Sequence, residues 1–167
     1  LTVFTSKEGH ILAGREFQES INGLFATALG VEKVEIVQPG SLMRVLMDAD
    51  QLFEPGDTSI REAQYPLLDR LIASLSGRPP GFRFDMAFVI SSAYESGEEL
   101  PVRERAAMAR GGAFAREMLA RGVPPDSLSI GMRPDEPGRV VLWFRVRPES
   151  DIRALHEHLN QVQETED

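Results

Sequence analysis

Histidine is the first residue type to examine for metal or acid–base chemistry, and the chain has three. His156 and His158 are two positions apart in a segment with helical periodicity, so their side chains point in different directions and form no metal pair. His10 stands alone in a polar stretch, and no cysteine is available as a ligand, nucleophile or disulfide partner. The sequence has no serine, histidine and aspartate arranged in the pattern of a catalytic triad, and it has no phosphate-binding loop. These observations argue against an enzyme and predict no cofactor and no metal.

The overall charge narrows the class of partner. A formal net charge of −8 over 167 residues, with a pI near 5.0, is opposite to the basic balance of nucleic-acid-binding proteins and of domains that bind anionic membrane surfaces. No apolar run reaches the length of about eighteen residues needed to span a bilayer, so we expect a membrane connection only through an upstream segment. Leu1 is not a methionine, which suggests a processed product or an excised fragment with an anchor or export signal upstream.

Helices and strands alternate along the first half of the chain. Residues 14–29 have the apolar spacing of an amphipathic helix closed by a glycine, and the segment around Pro39-Gly40 predicts a β-hairpin. Ser59 to Glu62 matches a capping box that would open a second helix. Pro66 then costs that helix a hydrogen bond unless the helix starts late.

The second half continues this alternation. The pattern predicts a buried strand, a helix, two strands and a last helix, at residues 82–90, 102–120, 126–132, 139–147 and 149–161. This order indicates an α+β sandwich with one mixed sheet and its helices on one face. Because the strand at 139–147 has apolar residues on both faces, its second face needs a cover. The first helix, the last helix or another copy of the chain could supply it.

Three segments carry a resemblance to a known family. The sequences LFEPGDTSI and YPLLDRLIASL resemble the opening of an OmpA-like C-terminal domain, where a Phe-x-x-Gly-Ser turn leads into a leucine-rich helix. ARGGAFAREMLARGVPPDSLSIGM resembles the second helix and following strand of that family, and GRVVLWFRV stands where the family carries an Arg-Arg-Val strand. The likeness covers about residues 42–146, and residues 15–37 most resemble the periplasmic half of the MotB-like flagellar stator family.

The resemblance gives Phe53 a position in the fold. In the family the strand ends beside the ligand groove, so Phe53 would anchor the turn beneath that groove. A core phenylalanine that closes the sheet is the alternative interpretation, and the two are compatible.

The resemblance also implies a βαβαββ domain that binds peptidoglycan without catalysis. In the family, an aspartate of a Gly-His-Thr-Asp segment takes the ammonium of the diaminopimelate stem residue, and a later arginine takes its carboxylate. An arginine fork can hold a carboxylate through two charge-assisted hydrogen bonds. A gap-free count back from Gly122-Val123 places the arginine at Arg110 and the acid at Glu95. Ser92 and Tyr94, with Glu95, then stand in place of the family signature and complete the expected ligand site.

The chain departs from the family pattern around this site. The signature itself is missing, as are the asparagine and the Leu-Ser pair before the arginine, whose places hold Arg103, Ala106 and Ala107. A rival register takes ELPVRERA as the degenerate motif and makes Arg105 the ligand, at the cost of five extra residues before Gly122. The gap-free register favours Arg110. The alternatives to binding are a solvated loop acid for the glutamate and a surface ion pair for Arg110.

Two functions follow from the resemblance. The first is a periplasmic domain that anchors a MotB-like stator or related envelope protein to peptidoglycan. The second is a diverged domain that has lost peptidoglycan and serves dimerisation or protein contact. We expect an N-terminal extension at 1–41, the OmpA-like domain at 42–148 and a C-terminal helix and tail at 149–167. Since stator-type relatives dimerise, we also expect a homodimer with Trp143 in or near the interface.

Overall fold

The computed structural model describes residues 7–92 and 102–149. Its helices are α1 (Lys7–Phe25), α2 (Ala49–Leu52), α3 (Tyr65–Ser76) and α4 (Val102–Ala120). Its strands are β1 (Val31–Gln38), β2 (Leu42–Asp48), β3 (Phe82–Ser92), β4 (Leu128–Pro134) and β5 (Arg139–Pro148). They form one sheet in the order β1-β2-β5-β3-β4, in which only the β3–β4 pair is parallel.

The core lies on one face of this sheet. Alternate residues of β2, β3 and β5 are buried there, because successive side chains of a strand point to opposite faces. Phe17 of α1 stacks on Phe84 with ring centroids 4.1 Å apart, and Phe114 of α4 stacks on Phe88 at 4.2 Å. The predicted α+β fold, a mixed sheet with its helices on one face, is confirmed.

The first helix is attached to the predicted hairpin, which the structure confirms. Gln18 is 5% exposed, and its side-chain amide donates to the carbonyl of Gln38 (3.0 Å) and accepts from the backbone N–H of Gly40 (2.8 Å). Gly40 has a φ of +80°, a backbone conformation that favours glycine. The side chain of Gln18 thus satisfies two backbone groups of the β1–β2 turn.

The bounds of α1 differ from the prediction. The helix begins at Lys7 and ends at Phe25, whereas the apolar spacing predicted 14–29. Ile21 and Phe25 are buried as that spacing requires, but Leu29 is 65% exposed. The residues beyond Phe25 turn through Gly30, whose φ is +79°, to enter β1. The helix therefore ends early because the chain must reverse into the sheet.

The predicted capping box at Ser59–Glu62 is wrong. The Ser59 hydroxyl donates to the carboxylate of Asp57 (3.2 Å), and α3 begins only at Tyr65, after a 3-10 turn at Glu62–Gln64. Pro66 then lies in the first turn of α3, where a missing N–H removes no helical hydrogen bond. Because α3 starts late, Pro66 does not cost the helix a hydrogen bond.

Several other expectations concern regions at the ends of the described chain. The predicted last helix at 149–161 extends into residues outside the described ranges. β1 pairs with β2 in the common sheet, while the proposed domain boundaries at 41 and 148 stay predictions.

None of the described helices combines the length and hydropathy needed to cross a membrane. Within 7–92 and 102–149, no cluster of acidic and histidine side chains is arranged to hold a metal ion.

Candidate ligand groove

A groove of about 240 Å³ lies between the end of β3, the middle of α4 and two loops. One loop, residues 53–61, joins α2 to α3, and the other is the β4–β5 turn. We call this the ligand groove. Residues from these four elements and Ala49 of α2 line it: Ala49, Gly56, Asp57, Thr58, Ile90, Ser91, Ser92, Ala106, Ala107, Arg110, Pro137 and Gly138.

Arg110 is the cationic side chain among the described residues of this lining, and it is only 15% exposed. Its Nε donates to the backbone carbonyl of Asp57 (2.8 Å), and its Nη2 donates to that of Glu54 (3.3 Å). Its Nη1 lies 3.6 Å from the carboxylate of Asp50. Two of the five guanidinium N–H groups therefore hold the loop, and the Nη1 group faces the exposed carboxylate of Asp50, with which a ligand carboxylate would have to compete.

The ring of Phe53 packs against the guanidinium of Arg110. Its ring is fully buried, meets Phe88 edge-on at 6.3 Å between centroids, and lies 5.1 Å from the guanidinium carbon of Arg110. This distance is within the range of a cation–π contact. The prediction that Phe53 is a core residue at the base of the turn is confirmed.

The 53–61 loop has its own hydrogen bonds. Phe53 and Ile60 form an isolated β-bridge, and the N–H of Glu54 donates to the carbonyl of Ser59 (2.8 Å). The carboxylate of Asp57 accepts from the N–H of Thr58 (2.7 Å). The Nε of Arg61 donates to the carbonyl of Phe53 (3.0 Å). Two arginines thus hold the loop through its backbone carbonyls.

The opposite wall is fixed by Ser91. Its buried hydroxyl donates toward the carbonyls of Glu136 (2.7 Å) and Arg139 (2.9 Å) and accepts from the N–H of Arg139 (3.0 Å). The carbonyl of Ser92 accepts from the N–H of Asp135 (2.9 Å). The β4–β5 turn is therefore attached to the end of β3, next to the ligand groove.

The structure brings two of the sequence-predicted site residues together. Ser92 and Arg110 both line the ligand groove. Glu95 and Tyr94 lie outside the described residues. Arg105, the alternative arginine, is exposed on α4 and does not belong to the lining.

Sequence reasoning missed Asp57, Thr58 and the Pro137-Gly138 turn as parts of the groove. Asp57 and Thr58 directly follow the Pro-Gly turn after Phe53, so the turn motif was a usable signal for the first two. No local pattern brings the β4–β5 turn to this place, because its position depends on the Ser91 hydrogen bonds.

The chemistry available in the groove is recognition of an anion. Among the described lining residues there are hydroxyls, one carboxylate and one guanidinium, but no histidine, cysteine or lysine. A guanidinium suits a carboxylate or phosphate oxygen, and that of Arg110 keeps N–H groups that form no hydrogen bond with the loop carbonyls. The described lining offers no nucleophile paired with a base.

Comparison with known proteins gives matches of structure and none of sequence. No family model and no curated protein matches the chain. The periplasmic domain of Helicobacter pylori MotB is similar with a TM-score of 0.55 and 14% identity, over 83% of this chain and 92% of that one. A putative MotB-like protein from Desulfovibrio vulgaris gives 0.59 and 13% identity, over 83% and 94%.

A third solved structure extends the comparison to another assembly. The cell wall anchor of the type VI secretion system from Pseudomonas aeruginosa has a TM-score of 0.55 and 18% identity, over 78% of this chain and 97% of that one. At sequence identities of 13–18%, these three similarities are evidence for the fold alone. The chain therefore has the fold of MotB periplasmic domains, as the resemblance in its sequence predicted.

Proposed function

We propose that this chain is a non-catalytic periplasmic domain that anchors a MotB-like stator, or a related envelope protein, to peptidoglycan. The observation that carries the proposal is the position of Arg110 in a groove of this fold that Ser92 also lines. The name of the secretion-system neighbour, a cell wall anchor, supports the same kind of function.

In this proposal Arg110 binds a carboxylate of the stem peptide, and Ser92, Tyr94 and Glu95 bind its ammonium end. Hydrogen bonds to a charged group contribute about 1.5–3 kcal/mol each when well formed. The loop carbonyls and the ring of Phe53 keep the guanidinium in place before a ligand arrives, which lowers the entropy lost on binding.

The second candidate is a domain that has lost peptidoglycan and acts in dimerisation or protein contact. One observation favours it: the contacts of Arg110 with Asp57, Glu54 and Phe53 give the arginine a structural role without any ligand. The homodimer predicted from the sequence stays a prediction under either function.

Sedimentation with purified sacculi tests the proposal. Ala106→Phe places a large side chain in the ligand groove and leaves Arg110 unchanged, and Ala109→Phe places the same side chain at an exposed site of α4 outside the lining. We expect the parent chain and Ala109→Phe to sediment with sacculi, and Ala106→Phe and Arg110→Ala to stay in the supernatant.

Two results would contradict peptidoglycan binding. The first is a parent chain that does not sediment, which would favour the diverged domain. The second is retention of both groove variants, which would place any wall contact elsewhere. Circular dichroism of each variant separates loss of binding from loss of fold.

A further inference from the structure

A second depression, of about 410 Å³, adjoins the ligand groove along α4. Thr58 lines both depressions, and α4 forms one wall of each. The second depression is lined by Ala113, Arg116 and Ala120 of α4 and by Ser59 of the 53–61 loop. We call this second depression the α4 cleft. Because the two depressions meet at Thr58, a ligand that fills the ligand groove can continue into the α4 cleft.

Arg116 is the unpaired charged side chain among the described residues that line the α4 cleft. The acid of the lining, Glu117, accepts a hydrogen bond from the Nε of Arg121 (2.8 Å), and Arg121 also binds Asp69 (3.0 Å). Arg116 is exposed and forms no ion pair or hydrogen bond with a residue in the described ranges. A guanidinium in this state can bind a carboxylate through two parallel hydrogen bonds.

The side chain of Arg116 turns back toward the ligand groove. A methyl group added to Gly112 would stand 3.3 Å from the Nη1 of Arg116, so the guanidinium lies against the helix one turn before its own Cα. This is the N-terminal direction of α4, in which Arg110 lies. At about 1.5 Å per helix residue, the Cα atoms of Arg110 and Arg116 are about 9 Å apart along the axis. Two arginines of one helix thus line two adjoining depressions.

Building on the proposed function, we propose that Arg116 binds a second carboxylate of the stem peptide whose first carboxylate is bound by Arg110. The stem peptide then lies extended along α4 and passes Thr58. An extended chain rises about 3.3 Å per residue, so carboxylates two to three residues apart match the spacing of the two arginines. The hydroxyls of Thr58 and Ser59 lie along this path and can bond the peptide groups between the carboxylates.

The position in a cleft distinguishes Arg116 from other exposed arginines. Arg70 of α3 is also exposed and has no ion pair with a described residue, but it lines neither the ligand groove nor the α4 cleft. The acid at the junction of the two depressions is Asp57, whose carboxylate accepts from the N–H of Thr58 (2.7 Å) and the hydroxyl of Ser59 (3.2 Å). That acid is therefore held by its own loop and leaves Arg116 to a ligand.

Two synthetic stem peptides test this contact. Both contain diaminopimelate with its own carboxylates free, and the remaining carboxylates are free in one peptide and converted to amides in the other. Calorimetric titration measures their affinities for the parent chain, Arg116→Gln and the matched control Arg70→Gln. We expect Arg116→Gln to weaken binding of the free-carboxylate peptide about tenfold and to leave binding of the amidated peptide unchanged. Arg70→Gln should behave as the parent chain with both peptides.

A steric variant tests the path between the two arginines. Ala113→Phe places a large side chain in the α4 cleft between Arg110 and Arg116, and Ala109→Phe places it at an exposed site of α4 outside both depressions. Ala113→Phe should remove the preference for the free-carboxylate peptide, and Ala109→Phe should keep it. Circular dichroism confirms that each variant is folded. A folded Ala113→Phe variant with an unchanged preference would contradict the path along α4.

The outcomes separate this inference from the proposed function. Equal affinity of Arg116→Gln and the parent chain for the free-carboxylate peptide, together with loss of binding in Arg110→Ala, would overturn the second contact and leave the proposed function in place. Equal weakening of both peptides by Arg116→Gln would show that Arg116 does not bind the second carboxylate. A parent chain that binds neither peptide would overturn this inference, and sedimentation with sacculi then decides separately whether the proposed function fails as well.

Discussion

Gly14 of α1 and Gly40 of the β1–β2 turn are in backbone contact. A methyl group added to Gly14 would stand 1.7 Å from the carbonyl oxygen of Gly40, far inside the distance that real atoms approach. The absence of a side chain at residue 14 is therefore what allows α1 to lie directly on the hairpin turn.

Gly14→Ala should destabilise the protein because backbone, and not a flexible side chain, must move. We expect a loss of about 1–3 kcal/mol or more in the free energy of unfolding, measured by denaturant titration. Gly23→Ala in the same helix is the control, since nothing lies within 4 Å of its added methyl group. That variant should gain about 0.5–1 kcal/mol from helix propensity. A Gly14→Ala variant as stable as Gly23→Ala would disprove the close packing of α1 on the turn.

Arg110→Ala should weaken the 53–61 loop as well as any ligand contact. Removing the guanidinium takes the side-chain donor from the carbonyl of Asp57 and one of two donors from the carbonyl of Glu54, which keeps the N–H of Asp57. A net hydrogen bond contributes about 0.5–1.5 kcal/mol, and we expect a loss of that order. Arg105→Ala, at an exposed position of the same helix, should change stability by less than about 0.5 kcal/mol. Thermal unfolding of the two variants side by side measures the difference. Equal stability would show that Arg110 does not hold the loop.

Phe53→Ala should be strongly destabilising because the ring is fully buried between Phe88 and the guanidinium of Arg110. We expect a loss of about 3–5 kcal/mol on denaturant titration. A loss near zero would mean that the ring lies at the surface.

Glu35 gives a prediction about pH. Its carboxylate accepts a hydrogen bond from Arg44 (2.6 Å), which lowers the pKa of Glu35 below its ordinary value of 4.5. Because the pKa of Glu35 is lower in the folded state, its pairing with Arg44 contributes fully to stability above the pKa that Glu35 has in the unfolded chain. This contribution is lost as the pH falls through the pKa of Glu35 in the folded state. Arg44→Gln should therefore make stability less sensitive to acidification between neutral pH and pH values below 4.5.

For both the parent chain and Arg44→Gln, the quantity to compare is the change in unfolding free energy between neutral pH and a pH below 4.5. The unfolding free energy at a single pH is not informative here. The contact of Arg44 with Trp143 does not titrate, so it cancels in this difference. The effect should be small because both partners are near the surface. An identical pH dependence in parent and variant would show that the pair does not contribute.

Most of the order of helices and strands could be predicted from the sequence, because the spacing of apolar residues indicates which face each helix or strand buries. The hairpin around Gly40 and the helix at 102–120 were predictable in this way. The capping box at Ser59 failed because its hydroxyl bonds Asp57 instead of a helix N–H. In the ligand groove, Arg110 was found through resemblance, but its partners are backbone carbonyls more than fifty positions away, for which residue type carries no signal.

The position of β5 has a consequence for the order in which this chain can fold. β5 is the last of the five strands in the sequence but the central one in the sheet, between β2 and β3. Until it emerges from the ribosome, the β1–β2 hairpin and the β3–β4 pair have no strand between them, and Phe17 and Phe25 lack Phe144. Sheet formation must therefore wait for contacts of long sequence separation, which slow folding. During synthesis, the edges of β2 and β3 that will pair with β5 are left open to other chains.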